Sequence, residues 1–127
     1  MSMTAAIATK GQVKGWCPGA LRPMQSGDGL IARVRPRVGM LSLDQARALA
    51  GLAERLGNGH IDLTRRANLQ IRGLRDEGLA KLQAELDRLG LIDVDAEVEA
   101  IRNIMVAPLC AVGSTARRVA ADLERAL

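Results

Sequence analysis

The sequence predicts an α+β domain in which an antiparallel sheet carries its helices on one face, and three observations lead there. Two long segments repeat apolar residues at helical spacing behind polar caps, several short segments alternate apolar with polar residues, and the order is strand, helix, strand, strand, helix, strand. With 127 residues, 48% of them apolar and 25% charged, the chain suits one core of ordinary size.

Residues 1–14 read as a mobile lead-in, and the glycine- and proline-rich stretch that follows to Asp28 reads as irregular but ordered chain. From Leu30 to Arg35 the pattern alternates: Leu30, Ala32 and Val34 share one side, Ile31, Arg33 and Arg35 the other, which is a first strand. Pro36 and Gly39 end it. Ser42 and Gln45 then form a capping box, the hydroxyl accepting from the third amide of the helix while the glutamine reaches back. Ala46, Leu49, Ala50, Ala53 and Leu56 fall on one face, so a helix is expected from Leu43 to Leu56, stopped by Gly57 or Gly59.

Ile61 and Leu63 alternate with Asp62 and Thr64 in a second strand, and Leu69 and Ile71 alternate with Gln70 and Arg72 in a third. Arg65 to Ala67 holds no Gly, Asn or Pro, so a wide or distorted connection is expected rather than a tight hairpin. Asp76 or a neighbour caps a second helix with Leu79, Leu82, Leu86 and Leu89 inward and Gly90 as its stop. Ile101 to Ala107 reads as a fourth strand ended by Pro108, and Ser114 caps a last helix whose inner face is expected to be Ala116, Val119, Ala120 and Leu123. This order is the split βαβ, or ferredoxin-like, unit βαββαβ with an extra C-terminal helix. In a two-layer fold that extra apolar face has no home, and it is expected to pack on something outside the unit.

A net charge of +4, carried by fifteen Arg and three Lys, favours an anionic partner. Nucleic acid is disfavoured, because single-stranded recognition leans on aromatic platforms and the chain has no Phe, no Tyr and only Trp16. The first residues lack a hydrophobic leader and no apolar run approaches the roughly 20 residues that cross a bilayer, so a cytoplasmic protein with no membrane partner is expected. Cys17, Cys110 and His60 are too few and too scattered for a metal or iron–sulfur site, and no disulfide is expected.

The chemistry concentrates between Asp62 and Gly73. If the chain is extended from Arg66 onward, Arg66, Asn68, Gln70 and Arg72 line up on one side, opposite Ala67, Leu69 and Ile71. Two guanidinium and two amide groups in a row suit a ligand with several carboxylates, each gripped through paired hydrogen bonds. The same alternation also describes a half-exposed strand turning polar residues to water. Arg22 reads as a loop arginine, His60 and Asp28 as turn residues, and the methionines as core filler.

Three motifs in order resemble one family: Gly15-Trp16-Cys17-Pro18-Gly19-Ala20-Leu21-Arg22-Pro23-Met24 followed by Ser26-Gly27-Asp28-Gly29-Leu30; Thr64-Arg65-Arg66-Ala67-Asn68-Leu69-Gln70-Ile71-Arg72-Gly73; and Ile101-Arg102-Asn103-Ile104 with Pro108-Leu109. They resemble precorrin-3B synthase of cobalamin biosynthesis, a relative of the siroheme-dependent nitrite and sulfite reductases. The resemblance implies a ferredoxin-like half domain over residues 15–108, with 109–127 opening the following domain. It implies that Arg66 and Arg102 line the anionic face of a tetrapyrrole, joined by Asn68, Gln70 and Arg72, with no catalytic side chain assigned. It further implies oxygenation of precorrin-3A by dioxygen, using a four-iron four-sulfur cluster whose cysteine ligands this chain does not carry. The family pattern has two half domains. One half alone is therefore expected to be inactive, and to need the second half or a second copy of itself. A siroheme-dependent reductase fragment is the alternative within the superfamily, and a non-enzymatic ferredoxin-like binding or dimerisation module the alternative outside it.

Overall fold

The computed structural model describes residues 17–127. The expected lead-in at residues 1–14, and the Gly15-Trp16 start of the first motif, lie outside the described residues. Within them the α+β, ferredoxin-like expectation is borne out: four antiparallel strands form one sheet, and two helices pack on one face of it.

The sheet begins with a hairpin that alternation alone does not reveal. β1 (Met24–Ser26) pairs with β2 (Gly29–Val34) across the two-residue loop Gly27-Asp28. Gly29 sits at φ +123°, and a Cβ there would lie 2.8 Å from the Leu74 carbonyl oxygen, so the tight return needs a glycine. β3 (Ile61–Leu63) and β4 (Leu69–Leu74) complete the order β1-β2-β4-β3. β2 and β4 are in register at Ala32↔Ile71, Arg33↔Gln70 and Val34↔Leu69, then slip by one residue between Ala32 and Leu30. Gly73, at φ +69°, lies in that bulge and lets both Ile71 and Leu74 point inward.

The first helix, α1 (Leu43–Leu56), has the expected bounds, and its capping box is formed: Gln45 N–H donates to Ser42 Oγ at 3.0 Å, and Ser42 N–H to Gln45 Oε1 at 2.9 Å. Its buried side chains are Leu49, Leu52 and Ala53, while Ala46 and Ala50, expected inward, are exposed. α2 (Asp76–Arg88) buries Leu82 and Leu86 and ends where Gly90 turns left-handed at φ +70°. Together with Ala32, Val34, Ile71 and Leu74 these residues form one core. Each leucine so buried contributes about 1.5–3 kcal/mol.

The fourth strand expected over Ile101 to Ala107 does not form. Asp95 instead caps a short helix, α3 (Ala96–Ile101), accepting from the amides of Glu97 at 2.9 Å and Val98 at 2.8 Å, and the chain from Arg102 to Ala107 carries no regular structure. The sheet edge beside β2 is filled by β1 instead. The run of Ile101, Ile104, Met105 and Val106 reads as a strand because an apolar run this short carries no period that would tell a strand from irregular chain, and Ile101 and Met105 in fact stay exposed.

α4 (Thr115–Ala126) is capped by Ser114 as expected, yet it docks by a different face. Ala120 is buried, whereas Val119 and Leu123 are half exposed. What turns inward is polar: Glu124 accepts from Val38 N–H at 2.9 Å, and Arg117 donates to the Val38 carbonyl at 3.2 Å. These two bonds clamp Val38, a β-branched residue at φ +53°, in a conformation that costs of order 1–3 kcal/mol.

A second polar clasp holds the start of the described chain. Glu99 of α3, 4% exposed, accepts from Ala20 N–H at 2.6 Å and from Leu21 N–H at 3.0 Å. Gly19 lies against that carboxylate so closely that a Cβ would overlap it. Gly19→Ala should therefore break the clasp and lower stability by about 1–3 kcal/mol in urea unfolding, while Gly27→Ala, with nothing within 4 Å of its added Cβ, should leave the midpoint unchanged.

Candidate anion-binding site

The face of the sheet opposite the core is polar, and its charges are not evenly matched along the strands. Arg33, Gln70 and Asp62 stand side by side across β2, β4 and β3. With its amide oxygen turned to Arg33, Gln70 accepts from Nη2 at 2.7 Å and Nε at 3.3 Å. Arg72 is closed off by acids at one end of the face: its Nε donates to Asp28 Oδ2 at 3.1 Å, its Nη2 to Asp28 Oδ1 at 3.2 Å and its Nη1 to Asp62 Oδ2 at 3.3 Å. The Asp28 hydrogen bonds raise the Arg72 pKa, and the same bonds hold the Asp28 carboxyl below its ordinary value.

The four residues expected in a row are therefore not equivalent. Gln70 and Arg72 share the polar face of β4, but Arg66 and Ala67 lie in the turn before it, with Ala67 at φ +58°. Strand alternation does not pass through that turn. Asn68 is buried at 5% exposure, and its Nδ2 donates to Asn103 Oδ1 at 2.7 Å. Arg66 is exposed, and its Nη1 lies 3.6 Å from Cys17 Sγ.

Arg102 sits in the interior at 2% exposure. Its Nε and Nη2 grip Asp93 at 2.6 and 3.1 Å, Nη2 also donates to the Arg35 carbonyl at 2.8 Å, and Nη1 reaches Glu124 at 3.5 Å. Asp93 in turn meets Arg37 at 3.1 Å. The partners of Arg102, two carboxylates and a carbonyl, thus all belong to the protein itself, so the expected ligand contact is not available to it. The second and third motifs do meet, through Asn68 and Asn103.

Positive charge without acidic partners gathers at the other end of the polar face. Cys17, Arg33, Thr64, Arg65 and Arg66 line a concavity of about 320 Å³, and Cys17, Arg22, Arg35, Ala96, Glu99 and Ala100 line an adjoining one of about 260 Å³. Arg35 is 5% exposed, and its Nε and Nη1 have no hydrogen-bond partner among the described residues. Burial lowers its pKa, with the charges of Arg33 and Arg102 acting in the same direction and that of Glu99 opposing them. Arg33 and Arg35 were not among the expected ligand contacts. The signal for them is the alternation of Leu30 to Arg35, which sets both on the face shared with Gln70 and Arg72.

A larger concavity, about 720 Å³, lies at the opposite end of β2 and β4, and its rim mixes Glu54 and Glu77 with Arg55 and Lys81. Such a mixture selects no charge. Among the described residues no group of three or more His, Cys, Asp or Glu is placed to hold a metal ion, and no helix is long and apolar enough to cross a membrane.

Residues 22–89 match the model of the nitrite/sulfite reductase ferredoxin-like half domain. Over 120 residues, 90% of the chain, the sequence is 41% identical to a precorrin-3B synthase of a Sinorhizobium species, of which it covers 25%. It is also 33% identical over 76% of its length to a ferredoxin–nitrite reductase of Leptolyngbya laminosa, and 37% identical over 69% to one of Synechococcus elongatus. The chain spans 19% and 17% of those two proteins.

Replacing Arg102 by Met should cost about 3–5 kcal/mol in urea unfolding, because it leaves Asp93 buried with Arg37 as its remaining ion partner; Arg66→Ala should stay within about 0.5 kcal/mol. The Asp28–Arg72 pair gives a pH signature. Because the folded-state pKa of Asp28 is depressed, its contribution is complete above the unfolded value of about 3.9 and is lost as pH falls through the folded value. In Arg72→Met, the Asp28 carboxyl followed by NMR should titrate at higher pH than in the wild type. The stability gap between the two proteins should be present at neutral pH and close in acid.

Proposed function

We propose, from the premise that this chain belongs to the nitrite/sulfite reductase ferredoxin-like half-domain family, that it forms one wall of an anionic tetrapyrrole site in a precorrin-3B synthase-like oxygenase. The observation that carries this reading is the positive end of the polar sheet face, where Arg33 and Arg66 flank one concavity with no carboxylate among the described residues that line it. Arginine suits this task, since its planar fork stays charged and matches a carboxylate through two parallel hydrogen bonds. The 41% identity to a precorrin-3B synthase over 90% of the chain supports the choice of substrate class.

Within this wall, Arg66 is the contact carried over from the sequence, with Gln70 orienting Arg33 behind it. Asn68 positions the turn through Asn103. Arg72 and Arg102 act at one remove: Arg72 by joining β4 to the β1–β2 hairpin through Asp28, Arg102 by fixing the chain that follows Asp93. The residues that would close the site belong to a second half domain or a second copy, with residues 15–108 as the half domain and 109–127 leading onward. The family's chemistry draws on siroheme and an iron–sulfur cluster. Cys17 and Cys110 do not form a cluster set, so this chain supplies binding and orientation and, by itself, no turnover.

The nitrite reductase relatives support a second reading, in which the tetrapyrrole is siroheme held as a cofactor. The optical spectrum of the complete protein separates the two, since siroheme bands belong only to the reductase.

The wall itself is tested by titrating this chain with an octacarboxylic porphyrin and with its uncharged octamethyl ester. The acid should bind and the ester should not, with Arg66→Ala and Arg33→Ala each weakening the acid by about tenfold. Equal binding of acid and ester, or an unchanged affinity in both variants, would remove the charge complementarity on which the reading stands.

A further inference from the structure

We infer that the cavity behind Cys17 is a carboxylate pocket whose receptor is Arg35. The inference rests on the tetrapyrrole reading only for the source of the carboxylate. The pocket itself is argued from Arg35.

A guanidinium buried with unpaired N–H groups is costly, because each unmet donor has given up water without a replacement and the charge raises that cost. Arg35 carries Nε and Nη1 in that state at 5% exposure, on a cavity of about 260 Å³. By contrast, the neighbouring buried Arg102 is satisfied by Asp93 and the Arg35 carbonyl. The carboxylate nearest to hand does not serve Arg35 either. Glu99 lines the same cavity, but its oxygens accept from the amides of Ala20 and Leu21, and no Arg35–Glu99 ion pair forms. Arg22 and Cys17 are both exposed and stand on the lining, so the cavity has a mouth with a second guanidinium on it.

An incoming carboxylate would thus meet Arg22 first and Arg35 at the bottom, with Glu99 the only acidic residue among the described residues of the lining. A cavity of this size takes one carboxymethyl or carboxyethyl arm, or a small free acid. Arg35 can offer such a group its fork of donors at once, without losing a bond it already makes.

Cys17 makes the pocket measurable, because iodoacetate carries the recognised carboxylate on the same molecule as an alkylating carbon. The thiolate sulfur attacks the methylene carbon, the C–S bond forms as the C–I bond breaks, iodide leaves, and the thiol proton goes to solvent. Iodoacetamide is the uncharged control and Cys110 the internal reference, both read by peptide mass spectrometry on the full chain. Labelling of Cys17 should favour iodoacetate over iodoacetamide by at least about fivefold relative to Cys110, and free acetate should slow Cys17 labelling by iodoacetate while sparing Cys110. Arg35→Met should abolish the preference, and Arg35→Lys should retain part of it. If the wild-type protein shows no preference and no acetate competition, the pocket is refuted whether or not the variants fold. An octacarboxylic porphyrin then identifies the source. Protection of Cys17 by the porphyrin assigns the pocket to a tetrapyrrole arm. A preference for iodoacetate without such protection keeps the pocket for a free acid and counts against the tetrapyrrole assignment, whereas porphyrin binding without any preference keeps the wall and overturns the pocket.

Discussion

The buried Arg102–Asp93 pair ties the C-terminal part of the chain to the sheet. The sheet and its two helices are held by an ordinary apolar core that takes in Leu91, but the chain from Asp93 onward is tied to them mainly through charged side chains. Arg102 bonds Asp93, the carbonyl at the end of β2 and Glu124 of α4 together, and Asp93 adds Arg37. Burying these charges is costly in itself, and such a pair holds only because nearly every donor finds an acceptor. The consequence is positional. With the chain after Asp93 fixed, α3 presents Glu99 to the amides of Ala20 and Leu21, and that clasp places Cys17 and Arg22 over the positive end of the sheet.

This reverses the roles of two arginines that look alike in sequence. Arg72 and Arg102 are each spent on the protein's own carboxylates, while Arg33, Arg35 and Arg66 have none within salt-bridge reach among the described residues. A surface selects a polyanion by the charge it leaves unmatched, not by the number of arginines it carries. Arg72 is met by Asp28 of the β1–β2 loop and by Asp62 of β3, whereas Arg33 and Arg35 have no such partner among the described residues, and this asymmetry is what the proposed orientation of a polycarboxylate toward the Cys17 end rests on.

What could be read from the sequence was whatever had a local physical cause. Ser42 and Gln45 cap α1 by their own side chains, and Gly57 stops it, so its bounds were legible; Asp76 to Gly90 was legible from its leucine spacing and its glycine stop, although the expected cap is not made there, since Arg75 precedes the helix with no side-chain cap bond. β1 was not, because three residues between Pro23 and Gly27 are too few to show alternation. The stretch after Asp95 was misread because its apolar residues carry no period, and because a partner 67 positions away, the Arg35 carbonyl, decides where Arg102 goes. The polar row failed at Ala67, whose left-handed backbone breaks the alternation that Arg66 was counted in. Arg35 was visible on the correct face, but its lack of partners is a property of packing and has no signature in sequence. The inward face of α4 was missed for a related reason: Arg117 and Glu124 pack inward only because Val38 offers them an amide and a carbonyl.

In the proposed division of labour, the unmatched arginines bind the ligand while the matched ones hold the fold. The most direct measurement is the NMR signal of each arginine Nε–H as an octacarboxylic porphyrin is added to the chain. The Arg33, Arg35 and Arg66 signals should move with ligand while those of Arg72 and Arg102 stay in place. Movement of Arg72 and Arg102 with the other three unchanged would contradict that division.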